Sequence, residues 1–250
     1  MPSYLITGSS RGIGLGLVEA LLKDAQNFVI ATARNPTRSE GLQQLSGRYP
    51  VDRLAVLTLD VTVPEQIASV AKQVGDVLPN GLDYLIHNAG YWNQQLTPLE
   101  ELDVNEFEQE VKFYTVPVVH LLRDFKSLVL RSTEKKVVFI GASMASFTLT
   151  PIFGGIAIPY CVGKAAQTIL ARKWGIVNKS LGITTVLIHP GVLDTYMANA
   201  LIEYVQSNMD PNAKMISVEE SVSGVLRVMH SVTLDDAATY WTHTGETVPW

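Results

Sequence analysis

The chain has 250 residues, of which 47% are hydrophobic and 17% charged, with a formal net charge of −5. That supplies the core of one large α/β domain spanning 1–250, and the acidic balance leaves no basic footprint for nucleic acid or an anionic membrane surface. Cys161 is the only cysteine, which excludes an intrachain disulfide and a multi-cysteine metal site; with no apolar run of membrane-span length and no basic, cleavable start, a cytoplasmic protein is expected.

The first predicted element is a short apolar strand over 3–7. It runs straight into Thr7-Gly8-Ser9-Ser10-Arg11-Gly12-Ile13-Gly14 and a helical stretch over 15–23. Strand, glycine turn and helix in that order are the opening of a βαβ nucleotide site. Gly8 permits a tight turn, Gly12 lets backbone approach a pyrophosphate, and Gly14 lets the helix pack close to the strand. Unpaired amides at the helix start favour phosphate. The second strand, 28–33, ends in Ala33-Arg34-Asn35. At this place an acidic residue reads the ribose hydroxyl of NAD, whereas arginine accommodates the 2′-phosphate of NADP. Arg34 together with Arg11 therefore points to NADP(H).

A third strand over 54–59 leads to Asp60-Val61, a candidate acceptor for the adenine amino group. A helix over 64–78 follows, then a fourth strand, 84–87, ending in Asn88-Ala89-Gly90, where small residues let backbone approach a cofactor. The next helix, 105–131, contains Pro117 and is expected to kink there. A fifth strand over 137–141 precedes Ser143, which can hydrogen-bond a substrate carbonyl. Helix 160–180 opens on Tyr160-Cys161-Val162-Gly163-Lys164, and the i, i+4 spacing puts phenol and ammonium on one face. A neighbouring ammonium, helped by the positive nicotinamide of an oxidised cofactor, is expected to lower the phenol's pKa. Strand 184–189, an irregular flap over roughly 191–217, a helix over 218–229 and a last strand over 239–242 complete the chain. Repeated βα alternation with nearly all-apolar strands predicts a doubly wound, Rossmann-type three-layer sandwich around a seven-stranded parallel sheet.

TGSSRGIG at 7–14, LDV at 59–61, HNAG at 87–90, Ser143, YCVGK at 160–164 and HPGVLDT at 189–195 occur in the order and approximate spacing of one family. The chain resembles the short-chain dehydrogenase/reductases over nearly its whole length. The ending Gly245-Glu246-Thr247-Val248-Pro249-Trp250 is similar to carbonyl-reductase-like members. The resemblance implies that Tyr160 is the general acid/base and that Lys164 holds the nicotinamide ribose and lowers the tyrosine pKa. Ser143 would orient the carbonyl, and Pro190, Gly191, Val192 and Thr195 would border the nicotinamide, whose B-face hydride is transferred. It implies an NADPH-dependent ketone or aldehyde reductase that pairs through helices 105–131 and 160–180 into a homodimer or homotetramer.

Two departures bear on that reading. The family's helix asparagine, which supports a proton relay to the lysine, falls here at Phe113 or Tyr114. That loss favours a second reading, an NADP(H)-binding protein that performs cyclisation or isomerisation or senses the cofactor. The gap from Ser143 to Tyr160 is also longer than is common, which reshapes the pocket. Tyr91, Trp92, Met144, Phe147, Phe153, Tyr196 and Met197 are candidates for an apolar substrate wall, each with core or flap packing as the competing reading. His87, His189 and Cys161 read as packing residues, and no histidines show metal spacing.

Overall fold

This computed structural model describes residues 1–93, 96–193, 199–208, 212 and 214–250. Seven strands form one sheet: β1 (Ser3–Ile6), β2 (Phe28–Ala33), β3 (Leu54–Thr58), β4 (Tyr84–His87), β5 (Lys136–Ile140), β6 (Thr184–His189) and β7 (Thr239–Thr242). All pair in parallel in the order β3-β2-β1-β4-β5-β6-β7. Parallel strands are covered by helices on both faces, so their side chains are apolar in both directions. β1, β2 and β5 are accordingly buried at every position, while the edge strands β3 and β7 are only partly so.

Among the described residues there are eight α-helices: α1 (Gly12–Leu22), α2 (Glu40–Arg48), α3 (Pro64–Val77), α4 (Val104–Arg131), α5 (Thr150–Phe153), α6 (Ile158–Asn178), α7 (Asn199–Asn208) and α8 (Val218–Ser231). Alternate strand residues divide the core in two. Leu5, Ile30 and Val137 face Val70, Phe125 and Ala171 of α3, α4 and α6. Ile6, Val29 and Val138 face Leu17, Leu42 and Val225 of α1, α2 and α8. This is the expected three-layer, doubly wound architecture. Strand order reverses at β1, whose neighbours are β2 and β4, and a ligand crevice opens at such a point.

Two local expectations change. α2 was not anticipated, because a nine-residue helix burying only Leu42 and Leu45 has little periodicity to read; Ser39 caps it by accepting the Leu42 amide at 3.4 Å. The segment 191–217 is less irregular than expected, since it contains α7 and a parallel bridge from Leu193 to Ile216. α4 runs as one helix through the buried Pro117, over nearly the range expected. No helix among the described residues is long and apolar enough to cross a membrane.

The contact between α4 and α6 sets the back wall of the crevice. Tyr114 of α4 is fully buried, and a Cβ on Gly163 of α6 would stand only 2.6 Å from its Cδ2. Ring and glycine are therefore complementary in volume. Gly163→Ala should cost about 1–3 kcal/mol in urea unfolding, as overpacked core sites do. In a Tyr114→Leu background that loss should shrink by more than half, and simple additivity would show that the two positions are not coupled.

Candidate active site

A cavity of about 1320 Å³ lies along the carboxyl ends of the strands. The glycine turn after β1 forms one end. Gly8 has φ +71°, and a Cβ there would meet the Cα of Ala89 at 2.8 Å, so only glycine lets β1 and β4 end so close together. The first helical bond of α1 joins the Leu15 amide to the Arg11 carbonyl at 3.3 Å, which leaves the amides of residues 12–14 without intrahelical partners. Gly12 has φ +57° and nothing within 4 Å of where a Cβ would project. Free amides, a helix N-terminus and open space are the features a pyrophosphate requires. The turn is braced from two sides. Asn88 Nδ2 donates to the carbonyls of Thr7 (3.0 Å) and Gly8 (3.1 Å), and Ser39 Oγ donates to the Ser10 carbonyl (2.7 Å).

The residues expected at a cofactor are brought together. Gly8, Ser10, Arg11, Gly12, Ile13, Gly14, Arg34, Asp60, Val61, Asn88, Ala89, Gly90, Pro190, Gly191 and Val192 all line the cavity, with Ser143, Tyr160 and Lys164 at its inner end. Asp60 also caps the following turn, accepting at Oδ1 from the amide and hydroxyl of Thr62 (2.9 and 2.7 Å). Arg38, one turn past Arg34, adds a third guanidinium that sequence reading missed; its signal was the i, i+4 arginine pair around Pro36. Thr195, Tyr196 and Met197 lie outside the described residues.

At the inner end, Lys164 is buried and donates to the Ile140 carbonyl at 2.7 Å. Its Nζ stands 4.8 Å from the ring centroid of Tyr114 and 6.0 Å from that of Tyr160. Burial pushes the lysine down to about 7. Burial also raises the Tyr160 phenol, and the Cys161 and Glu110 charges add to that effect. Burial thus moves the Tyr160 phenol in the direction opposite to the lowering expected from its ammonium neighbour. Cys161 is pushed up to about 12 by burial, with Glu110 adding, as befits a packed thiol.

Tyr114 presents its ring to Lys164. Its ring meets Tyr160 edge-on at 5.6 Å, and its hydroxyl accepts the Tyr91 amide at 2.9 Å while donating to the Tyr91 carbonyl. Trp92 stacks on Tyr160 at 4.7 Å. Of the expected substrate wall, Tyr91, Trp92, Met144 and Phe153 line the cavity, joined by Ile202 and Val205 of α7. Phe147 does not: it is 82% exposed and absent from the lining. The chain around it is tied back to the C-terminal tail, with Ser146 Oγ donating to the Pro249 carbonyl (2.6 Å) and the Thr148 amide to a backbone oxygen of Trp250 (3.0 Å), which turns Phe147 outward.

The two histidines read as packing residues differ. His87 is buried, contacts Thr7 Oγ1 at 3.1 Å, and is pushed down to about 3 by burial and by Lys164, so it stays neutral as a packing residue does. His189 instead reaches a predicted catalytic group, because both its ring nitrogens lie 3.3 Å from Ser143 atoms.

Fold and site together define a doubly wound protein with a glycine turn at a helix N-terminus and a Ser–Tyr–Lys group lining one cavity. The family model for short chain dehydrogenases matches residues 3–205, and the chain belongs to that family. It is 29% identical over 253 residues to the short-chain dehydrogenase/reductase AacuF of Aspergillus aculeatus, covering 94% of each chain. It is 31% identical over 207 residues to the short chain dehydrogenase virK of Hypocrea virens, covering 78% of this chain and 75% of virK. Among solved structures, the NADPH-bound carbonyl reductase from chicken fatty liver is similar with a TM-score of 0.87 and 27% identity, covering 100% of this chain and 94% of that one.

Glu110, one turn before Tyr114, is fully buried; Oε2 accepts the Asn93 amide at 3.2 Å, whereas Oε1 has no hydrogen-bond partner. Burial raises its carboxyl from 4.5 to about 7, partly offset by the Asn93 bond. A raised acid binds its proton more tightly when folded, so stability falls as pH rises from about 4.5 to 7. Glu110→Gln keeps the acceptor and removes the ionisation. Thermal melts should show the variant more stable than wild type at pH 8, with the gap closing toward pH 5; equal melting temperatures at both pH values would contradict this.

Proposed function

We propose that this protein is an NADPH-dependent reductase of a ketone or aldehyde, with Tyr160 as the general acid. The observation that carries the reading is the convergence of Ser143, Tyr160 and Lys164 at the inner end of the cavity that the glycine turn and two arginines open. Residues 8–14 would hold the pyrophosphate, and Arg11 and Arg34, with Arg38, the 2′-phosphate. Asp60 and Val61 would meet the adenine, while Asn88-Ala89-Gly90, Pro190-Gly191-Val192 and Thr195 would border the nicotinamide. NADPH, when bound, supplies the hydride that adds to the carbonyl carbon. Ser143 and Tyr160 would hold the carbonyl oxygen, which takes the Tyr160 proton. A phenol raised by burial is fully protonated at neutral pH, the form an acid must have. Lys164 would hold the nicotinamide ribose. Tyr91, Trp92, Met144, Phe153 and, outside the described residues, Tyr196 would favour a bulky apolar carbonyl compound.

We read the chain as a single cytoplasmic domain that self-associates as a homodimer or homotetramer. Val162, Ile169 and Ile176 support this, since they are exposed and recur every seven residues along α6. The second reading, non-redox chemistry or sensing of NADP(H), draws on Tyr114, an aromatic ring facing Lys164 where the family carries an amide.

Purified protein mixed with NADPH and a panel of aromatic, quinone-like and polyketide-like ketones should consume absorbance at the reduced-cofactor band. Tyr160→Phe should cut kcat by about 100-fold or more while leaving NADPH affinity within a few-fold. NADPH bound yet oxidised by no member of the panel would move the assignment to the second reading. Arg34→Ala should weaken NADPH by roughly tenfold or more, the scale of one charge-assisted contact, and leave NADH nearly unchanged. Equal losses for both cofactors would overturn the 2′-phosphate assignment.

A further inference from the structure

α4 carries Glu106, Glu110 and Tyr114 at intervals of four residues, and each of them bonds the loop that follows β4. Residues four apart lie on one side of a helix, about 6 Å apart along its axis, which is also the reach of two residues of extended chain. The contacts follow that match. The Tyr114 hydroxyl accepts the Tyr91 amide at 2.9 Å and donates to the Tyr91 carbonyl. Glu110 Oε2 accepts the Asn93 amide at 3.2 Å, and Glu106 Oε2 accepts from Asn93 Nδ2. Side chains alternate along the loop. Tyr91 meets the Phe113 ring of α4 at 5.8 Å and Asn93 reaches Glu106, whereas Trp92 between them stacks on Tyr160 of α6, with ring centroids 4.7 Å apart and planes at 21°. A fully buried carboxyl with one unpartnered oxygen costs stability, and the hydrogen-bond partner that Glu110 does have is the Asn93 amide.

We propose that Glu110 is a positioning residue: with Glu106 and Tyr114 it clamps the 91–93 loop to α4 and so fixes the Trp92 indole as one wall of the approach to Tyr160. An indole stacked on the phenol covers one face of that ring, while the Tyr114 ring meets it edge-on at 5.6 Å. Trp92, Tyr114 and Tyr160 all line the cavity, so a carbonyl oxygen reaches the phenol hydroxyl past flat surfaces. Such a slot selects a flat aryl ketone over the same ketone with a saturated, puckered ring. Glu110 Oε2 accepts the Asn93 amide whether or not the carboxyl is ionised, so the clamp needs no particular charge state. The substrate preference rests on the reductase reading; the placement of Trp92 does not.

Hydrogen exchange of the Trp92 indole N–H, a buried group, reads the clamp in the protein without substrate. Its NMR signal is assigned by its loss in Trp92→Phe. Glu110→Leu should speed that exchange roughly tenfold, the scale of one hydrogen bond, whereas Glu110→Gln keeps the acceptor and should exchange as wild type does. Asn93→Ala removes the Glu106 arm without altering α4, should act in the same direction, and serves if Glu110→Leu does not fold. Unchanged exchange in Glu110→Leu, or equal acceleration in Glu110→Gln, overturns the clamp whether or not any carbonyl is reduced. With NADPH, kcat/KM is then compared for acetophenone and its saturated counterpart, cyclohexyl methyl ketone. Trp92→Ala and Glu110→Leu should each lower the preference for the aryl ketone roughly fivefold, the scale of one aromatic contact, and Glu110→Gln should keep it. In a Trp92→Ala background, Glu110→Leu should lower the preference no further. A further loss there, or wild-type preference in Glu110→Leu alone, would overturn the positioning role.

Discussion

The reversal of strand order at β1 is the constraint on which the rest of the molecule depends. β2 and β4 flank β1, and the chain leaves their carboxyl ends toward opposite faces of the sheet, so a crevice opens between them. Thr7 closes its floor. Its hydroxyl accepts the amides of Asn88 (3.1 Å) and Ala89 (3.0 Å), which joins the end of β1 to the end of β4. With both acceptor positions used, the hydroxyl hydrogen is left for His87 Nδ1, 3.1 Å away. The glycine turn, the Asn88 brace and the Ala89 backbone that crowds Gly8 all follow from that junction.

The inner end of the site is governed by volume and by dehydration. Where a small polar side chain would leave room for water, Tyr114 fills the space against Gly163 and turns its face to Lys164. An aromatic face attracts an ammonium but accepts no conventional hydrogen bond from it, so the Ile140 carbonyl becomes the lysine's polar partner. Dehydration then dominates the electrostatics. Lys164 moves down, Tyr160 and Glu110 move up, and His189 is held neutral, each in the direction that burial disfavours charge.

Much of the fold was legible because parallel strands advertise themselves. Runs such as Phe28–Ala33 and Thr184–His189 are apolar at most positions, and their spacing left one architecture. Short elements were harder. α2 buries two leucines and α7 lies in a segment of mixed composition, so neither carries a periodicity that exceeds the noise of a short window. Phe147 looked like a pocket residue because it is aromatic and close to Ser143 in the chain. Its direction was decided some hundred residues away, by the hydrogen bonds of Ser146 and Thr148 to the C-terminal tail.

By itself the sequence determined what depends on neighbours in the chain: the glycine turn, the arginines beside it, the Tyr160–Lys164 helix face and the alternation that winds the sheet. These are local because a turn, a cap or an i, i+4 pair needs only a few bonds of backbone. Only the tertiary structure decided that Tyr114, not Phe113, faces Lys164, that burial raises Tyr160 despite its cationic neighbour, and that His189 reaches Ser143. Each of those depends on which strands and helices lie side by side, and dehydration and contact between distant segments exist only once the chain has packed.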